Sequence, residues 1–264
     1  MLDERSATWK VYLSDESFKR VLTIDVETGV LAGLSRSSGI IECLVNSEYQ
    51  DTNDIGVSTK IHVQPSLGAL SGQYTLIVFG GDVFDYGIMA CLTEKHCCNN
   101  TVLVFLNTTY KKTVNKYLHN YGFVVFKTIA KLPENKPRIY IPIESKDIVK
   151  KGLGFHKPGR LLGRIALKCL RLFVSFGMYF PLNRNPILFA SKIDVQNPMV
   201  GSSYQSWIEK IIGYSLSSVV AYAGSDSARR KLTLLAVSGD MSRPDIVVKV
   251  GDTKEGKAAI RQET

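Results

Sequence analysis

Short runs of apolar, often β-branched residues alternate with helical stretches over residues 21–130. Residues 21–26 (VLTIDV) predict a buried strand, followed by Gly29 and a helical stretch over 30–36. Residues 40–45 (IIECLV) predict a second strand, and 60–63 a short third. Leu76–Phe79 forms the apolar heart of YTLIVFGGDVF and stops at Gly80-Gly81; residues 101–106 (TVLVFL) repeat the pattern. Thr113–Asn120 suits a helix ending at Tyr121-Gly122, with a further strand over 123–128 (FVVFKT). Continuous apolar strands alternating with helices predict a mostly parallel sheet covered on both faces, an α/β Rossmann-like class.

Residues 131–145 hold three prolines and read as a connection. A helix is predicted from Lys157 to Phe180, with Arg160, Arg164, Lys168 and Arg171 at spacings that share one face. Pro181, Pro186 and Pro198 punctuate the next segment, in which Ile187–Ala190 reads as a short strand. SYQSWIEKIIGY then forms an amphipathic helix. Strands are expected at 219–222, 232–237 and 246–250, with GDMSRPD turning between the last two. The final TKEGKAAIRQET starts a helix and shows no stop signal. The resulting division is 1–145, 146–197 and 198–264.

Composition narrows this picture only in part. The chain has 264 residues, 45% hydrophobic and 22% charged, which is globular. Its net charge of +9 favours acidic partners such as nucleotide phosphates or an anionic lipid face. No secretory pattern opens the chain, and Leu172–Leu182 is too short an apolar stretch to span a bilayer. A cytoplasmic location with reduced cysteines is the expectation.

The order of elements over 21–130 resembles the class I S-adenosylmethionine-dependent methyltransferases. VLTIDVETG lies at that family's first strand and glycine-rich turn, IIECLVNSE at its second strand, and YTLIVFGGDVF at its fourth. NYGFVVFKTIA resembles its terminal turn and strand. The resemblance implies S-adenosylmethionine as cofactor, with Thr28, Gly29, Asn46, Glu48, Gly80 and Asp82 around it. Laying the family's LDLGCGTG on residues 22–29 puts Asp25 and Glu27 on the first two glycines. Side chains there crowd a ligand that the backbone must approach closely, and two carboxylates make the seat acidic.

The segment from Ala221 to Glu263 resembles the N-terminal lobe of the aminoglycoside phosphotransferase and choline-kinase-like families. DIVVKV matches a strand whose Lys249 neutralises ATP phosphates and pairs with Glu263, while Gly224 and Ser225 lie at the covering loop. No H-x-D…N segment follows, so this reading expects a small antiparallel, β-rich, kinase-like piece of a longer protein, with ATP binding only in the full length.

Other constellations are weaker. Cys91, His96, Cys97 and Cys98 lack a second ligand pair for zinc, and no metal or catalytic residue is assigned. Asp82 and Asp85 follow the strand end where α/β proteins bind ligands. The 157–180 region could lie on an anionic membrane or be the wet face of a packed helix. Nucleic acid is not expected, because aromatics do not interleave with the charges. Three functions stay open: a non-catalytic methyltransferase-like module beside a kinase-like domain, an active methyltransferase on a small molecule, and a membrane-surface scaffold.

Overall fold

A computed structural model describes residues 4–13, 18–35, 38–44, 61–64, 66–81, 85–108, 111–134, 137–156, 159, 161–179, 182, 184–192, 203–224, 231–240, 242–251 and 254–261. The chain forms two compact units: Met1–Phe126 with Ile187–Ser202, and Lys127–Pro186 with Ser203–Thr264. These ranges differ from a division at 145/146 and 197/198.

The first unit is mixed α/β. Its strands are β1 (Phe18–Ile24), β2 (Ser38–Leu44), β3 (Ile61–Gln64), β4 (Tyr74–Phe79), β5 (Cys97–Phe105), the start of β6 (Phe123–Leu132), and β8 (Ile187–Lys192). They stand in the order β3-β2-β1-β4-β5-β8. The pairs β1–β2, β2–β3, β1–β4 and β4–β5 are parallel, and β8 runs antiparallel to β5. The first five places are those of a doubly wound dinucleotide-binding sheet. Continuous burial along the strands explains their uninterrupted apolar runs: Val21, Leu22, Leu76, Ile77, Val102 and Leu103 are all fully inside.

Helix α1 (Thr28–Ser35, TGVLAGLS) is buried from Gly29 to Leu34. The reason is a cover that the hydrophobic pattern did not disclose. Residues Glu4–Tyr12 form a 3-10 helix that packs on α1. Its Trp9 and Tyr12 are buried edge-on against Phe189 of β8. Lys10 Nζ donates to the Gly33 carbonyl at 2.6 Å, satisfying a helix-end acceptor. On the other face Leu22, Ile77 and Leu103 pack with Met89 of α2 (Tyr86–Cys91) and with Val114 and Leu118 of α3 (Lys111–Asn120).

The second unit is antiparallel. The end of β6 pairs with β7 (Ile139–Pro142), β7 with β9 (Leu216–Ala223), β9 with β10 (Lys231–Ser238), and β10 with β11 (Ile246–Gly251). Residues 139–142 were expected to be connection and are instead a buried strand. The prolines misled because they sit where no ladder bond is lost: β9 pairs with Ile139 and Tyr140, upstream of Pro142.

Helices α4 (Lys146–Phe155) and α5 (Leu161–Ser175) pack on this sheet through Ile148, Val149, Leu153, Leu167 and Val174. Helices α6 (Ser203–Ile212) and α7 (Lys254–Arg261) complete the unit. The expected separate kinase-like lobe is not shown. Strands β9–β11 continue through β9 into β7, and β9 and β10 share one core with α4 and α5, so the apolar faces of these two strands are buried within a larger unit.

Candidate functional site

In a doubly wound sheet the connections leave in opposite directions from the two strands at the switch point, opening a crevice at their carboxyl ends. Here those strands are β1 and β4. The polypeptide leaves β1 through Asp25, whose φ of 49° is left-handed. Asp25 N–H donates to the Leu44 carbonyl at 3.2 Å, tying the turn to the end of β2. Val30 and Leu31 N–H donate back to the Glu27 carbonyl at 3.0 and 3.2 Å, so α1 starts immediately after the turn. Thr28 is half-buried and Gly29 buried, while Asp25 and Glu27 are exposed.

Gly80 closes the other side. Its N–H donates to the Ile24 carbonyl at 2.8 Å, and its carbonyl accepts from Asn107 Nδ2 at 2.7 Å. A Cβ at Gly80 would collide with the Asp25 carbonyl oxygen and lie 2.6 Å from Val26 Cα. This is a close backbone approach that only glycine permits. Leu106 N–H donates to the Phe79 carbonyl at 2.8 Å, and the rings of Phe79 and Phe105 stack at 4.7 Å. The ends of β1, β2, β4 and β5 are thus knitted into one edge.

The structure brings Thr28, Gly29 and Gly80 to this edge. Asn46, Glu48 and Asp82 lie outside the described residues. Asp85 caps α2, its carboxylate accepting from Gly87 N–H at 2.7 Å and Ile88 N–H at 3.1 Å. Of the residues proposed for ATP, Gly224 follows β9, where an added Cβ would collide with the Lys231 carbonyl oxygen. Its small size therefore serves strand pairing. Lys249 is exposed on β11 opposite Thr233. Ser225 and Glu263 lie outside the described residues.

The cysteine cluster is taken up by local contacts. Cys97 is buried, and its thiol is pushed up to about 12, chiefly by burial and also by Cys98. Burial likewise pushes the Cys43 thiol up to about 11, a hydrogen bond with Thr23 acting the other way. His96 Nδ1 lies 2.9 Å from the Gly72 carbonyl oxygen. Among the described residues no three His, Cys, Asp or Glu side chains are placed to hold a metal ion.

One polar cluster was not apparent from sequence. Glu42 is buried on β2 and receives Arg20 Nη2 at 2.9 Å, Gln64 Nε2 at 3.1 Å and the Tyr74 hydroxyl. The Arg20 guanidinium also lies 5.2 Å from the centre of the Tyr74 ring. Burial, then the Glu42 hydrogen bond and charge, hold the Tyr74 phenol well above its ordinary range. An acid inside IIECLV was the available signal; its partners come from β1, β3 and β4. A buried carboxylate held by three donors is a structural arrangement that offsets its desolvation.

No protein-family model matches the chain, and no curated protein matches it in sequence. Solved structures similar to it include a ribosomal protein L11 methylase from Lactobacillus delbrueckii subsp. bulgaricus, at 12% identity and a TM-score of 0.40. That match covers 72% of this chain and 78% of the other. A SAM-dependent methyltransferase from Thiobacillus denitrificans, in complex with S-adenosyl-L-homocysteine, has 14% identity and a TM-score of 0.41, covering 72% and 91%. A SAM-dependent methyltransferase from Geobacter sulfurreducens, in the same kind of complex, has 12% identity and a TM-score of 0.38, covering 67% and 86%. Likenesses of this size carry no argument about function, which rests on the geometry of the chain itself.

Proposed function

We propose that the first unit is a methyltransferase-like Rossmann module that keeps the cofactor turn but lacks an open seat for S-adenosylmethionine. On this reading it acts as a weakly binding or non-catalytic module. The supporting observation is Asp25. Its left-handed φ of 49° is the backbone geometry that a glycine ordinarily supplies at such a turn. Asp tolerates that region better than most residues. The turn is therefore formed, and a carboxylate hangs from it at the ligand edge of the sheet. Glu27 adds a second carboxylate at the start of α1. Two side chains thus stand where the family's turn has glycine, and they crowd a ligand that the backbone must approach closely.

A second reading, an active methyltransferase on a small molecule, is favoured by the exposure of Asp25 and Glu27. On that reading the exposed side chains leave the seat open to a cofactor whose sulfonium is cationic. A phosphotransferase role for the second unit draws no support from Gly224, whose missing Cβ serves its contact with β10.

Calorimetric titration with S-adenosylmethionine separates the first two readings. The native chain is expected to show no saturable heat. The Asp25→Gly, Glu27→Gly double variant is expected to gain affinity by roughly tenfold or more, because it removes the two side chains that crowd the turn. Micromolar binding by the native chain would overturn the proposal in favour of the active enzyme.

A further inference from the structure

Helix α5 has two apolar faces, and its own unit uses one of them. Leu167 and Val174 point into the core beside α4. On the opposite side Leu162, Ile165, Cys169, Leu172 and Phe176 recur at spacings of three, four, three and four residues, which forms one continuous stripe. Leu162 is 80% exposed, Phe176 71%, Leu172 59% and Ile165 50%. A surface stripe of large apolar side chains this long marks an interaction face.

The charge beside the stripe indicates what covers it. Arg164 and Lys168 are exposed along one flank. Residues 148–193 contain nine Lys and Arg (150, 151, 157, 160, 164, 168, 171, 184 and 192) and no Asp or Glu. Three of these make contacts within the unit, and Arg164 does so at the surface, its Nη2 donating to the Gly159 carbonyl at 3.4 Å. Lys151 pairs with Asp245 at 2.9 Å, and Arg171 reaches the carbonyls of Leu153, Gly154 and His156. A second copy of the chain would bring the same basic flank against this one, with no acid on the segment to compensate. An apolar face with a basic border instead matches an anionic bilayer surface, where apolar side chains enter the acyl boundary and Lys and Arg remain among the headgroups. Among the described residues no helix is long and apolar enough to cross a membrane.

We propose that the outer face of α5 lies flat on anionic lipid, with Leu162, Ile165, Leu172 and Phe176 inserted and Arg164 and Lys168 at the headgroups. This is independent of what binds at the end of β1.

Flotation tests it on the full chain, with vesicles of phosphatidylcholine plus phosphatidylserine and vesicles of phosphatidylcholine alone. The native chain is expected to float with the anionic vesicles only. Ile165→Glu with Leu172→Glu, and separately Arg164→Glu with Lys168→Glu, are expected to lower the bound fraction roughly tenfold. Their circular dichroism should stay native because these side chains are exposed; Ile165→Ala with Leu172→Ala serves if the glutamates disturb folding. The proposal is overturned if the native chain does not float. It is also overturned if loss follows charge reversal but not the apolar changes, since α5 would then not insert. A dimer in sedimentation velocity that the apolar changes dissolve, without vesicle binding, would assign the face to a second copy.

Discussion

Helices α1 and α5 are both rich in apolar residues, and they meet opposite fates. TGVLAGLS is enclosed, with Gly29–Leu34 buried beneath the sheet on one side and the Glu4–Tyr12 helix on the other. LLGRIALKCLRLFVS buries Leu167 and Val174, half-buries Leu170 against the same core, and leaves Leu161, Leu162, Ile165, Leu172 and Phe173 exposed. Apolar character alone does not say whether a helix is covered. The difference lies in what the chain supplies as a second layer. The first unit provides Trp9, Tyr12 and Lys10 to close over α1. For α5, no described element covers the outer face, and a basic flank stands there instead. Charges on a helix's border thus carry information that its hydrophobicity lacks.

The largest expected break in this comparison comes from removing the cover of α1. Trp9 is fully buried and packs edge-on to Phe189, so Trp9→Ala leaves a large cavity. A loss of about 3–5 kcal/mol in urea unfolding is expected. A loss near zero would show that the N-terminal helix is dispensable for holding α1.

The next effect concerns how α5 is fastened. Arg171 Nε and Nη2 donate to the Leu153 carbonyl at 3.1 and 2.5 Å, where α4 ends with unsatisfied acceptors. This arginine was expected on the same basic face as Arg164 and Lys168, and it turns inward instead. Arg171→Ala is expected to cost about 1–3 kcal/mol, the range for a charged donor lost from half-buried acceptors. The same unfolding measurement applies. An unchanged midpoint would return Arg171 to the surface set.

The smallest effect is a pH dependence in the same place. His156 follows α4, and burial, then Arg138, then Arg171, hold its imidazole below the ordinary value of 6.5. The folded state therefore favours the neutral ring. As pH falls through 6.5 the unfolded chain takes up the proton first, so stability declines below that point until the folded ring also titrates. Urea midpoints at successive pH values should fall more steeply in the native chain than in His156→Gln. Parallel curves would show that His156 contributes nothing to the acid side of the profile.

Much of the first unit was legible along the chain. VLTI, IIECL, YTLIVF and TVLVFL are strands because a strand buried on both faces has to be apolar throughout. Other features were not legible. The IYIP strand hid behind its prolines, since whether a missing N–H matters depends on which edge a neighbour pairs with. The Glu42 cluster joins four strands, so none of its partners lies near it in sequence. At the candidate site, the glycine-turn alignment drew attention to Asp25, Glu27, Thr28 and Gly29. The collision that makes Gly80 obligatory depends on Asp25 and Val26, some 55 residues earlier in the chain.

Residue order alone set the local elements, the excess of positive charge and the absence of acids from 148 to 193, because these depend on neighbours within a few turns. Three-dimensional packing set the placing of β8 antiparallel beside β5, the joining of β9 to β7, the enclosure of α1 and the exposure of α5. Each of these is a choice of partner between distant segments. Apolar patterning sets how much surface must be buried, while chain connectivity and packing decide against what.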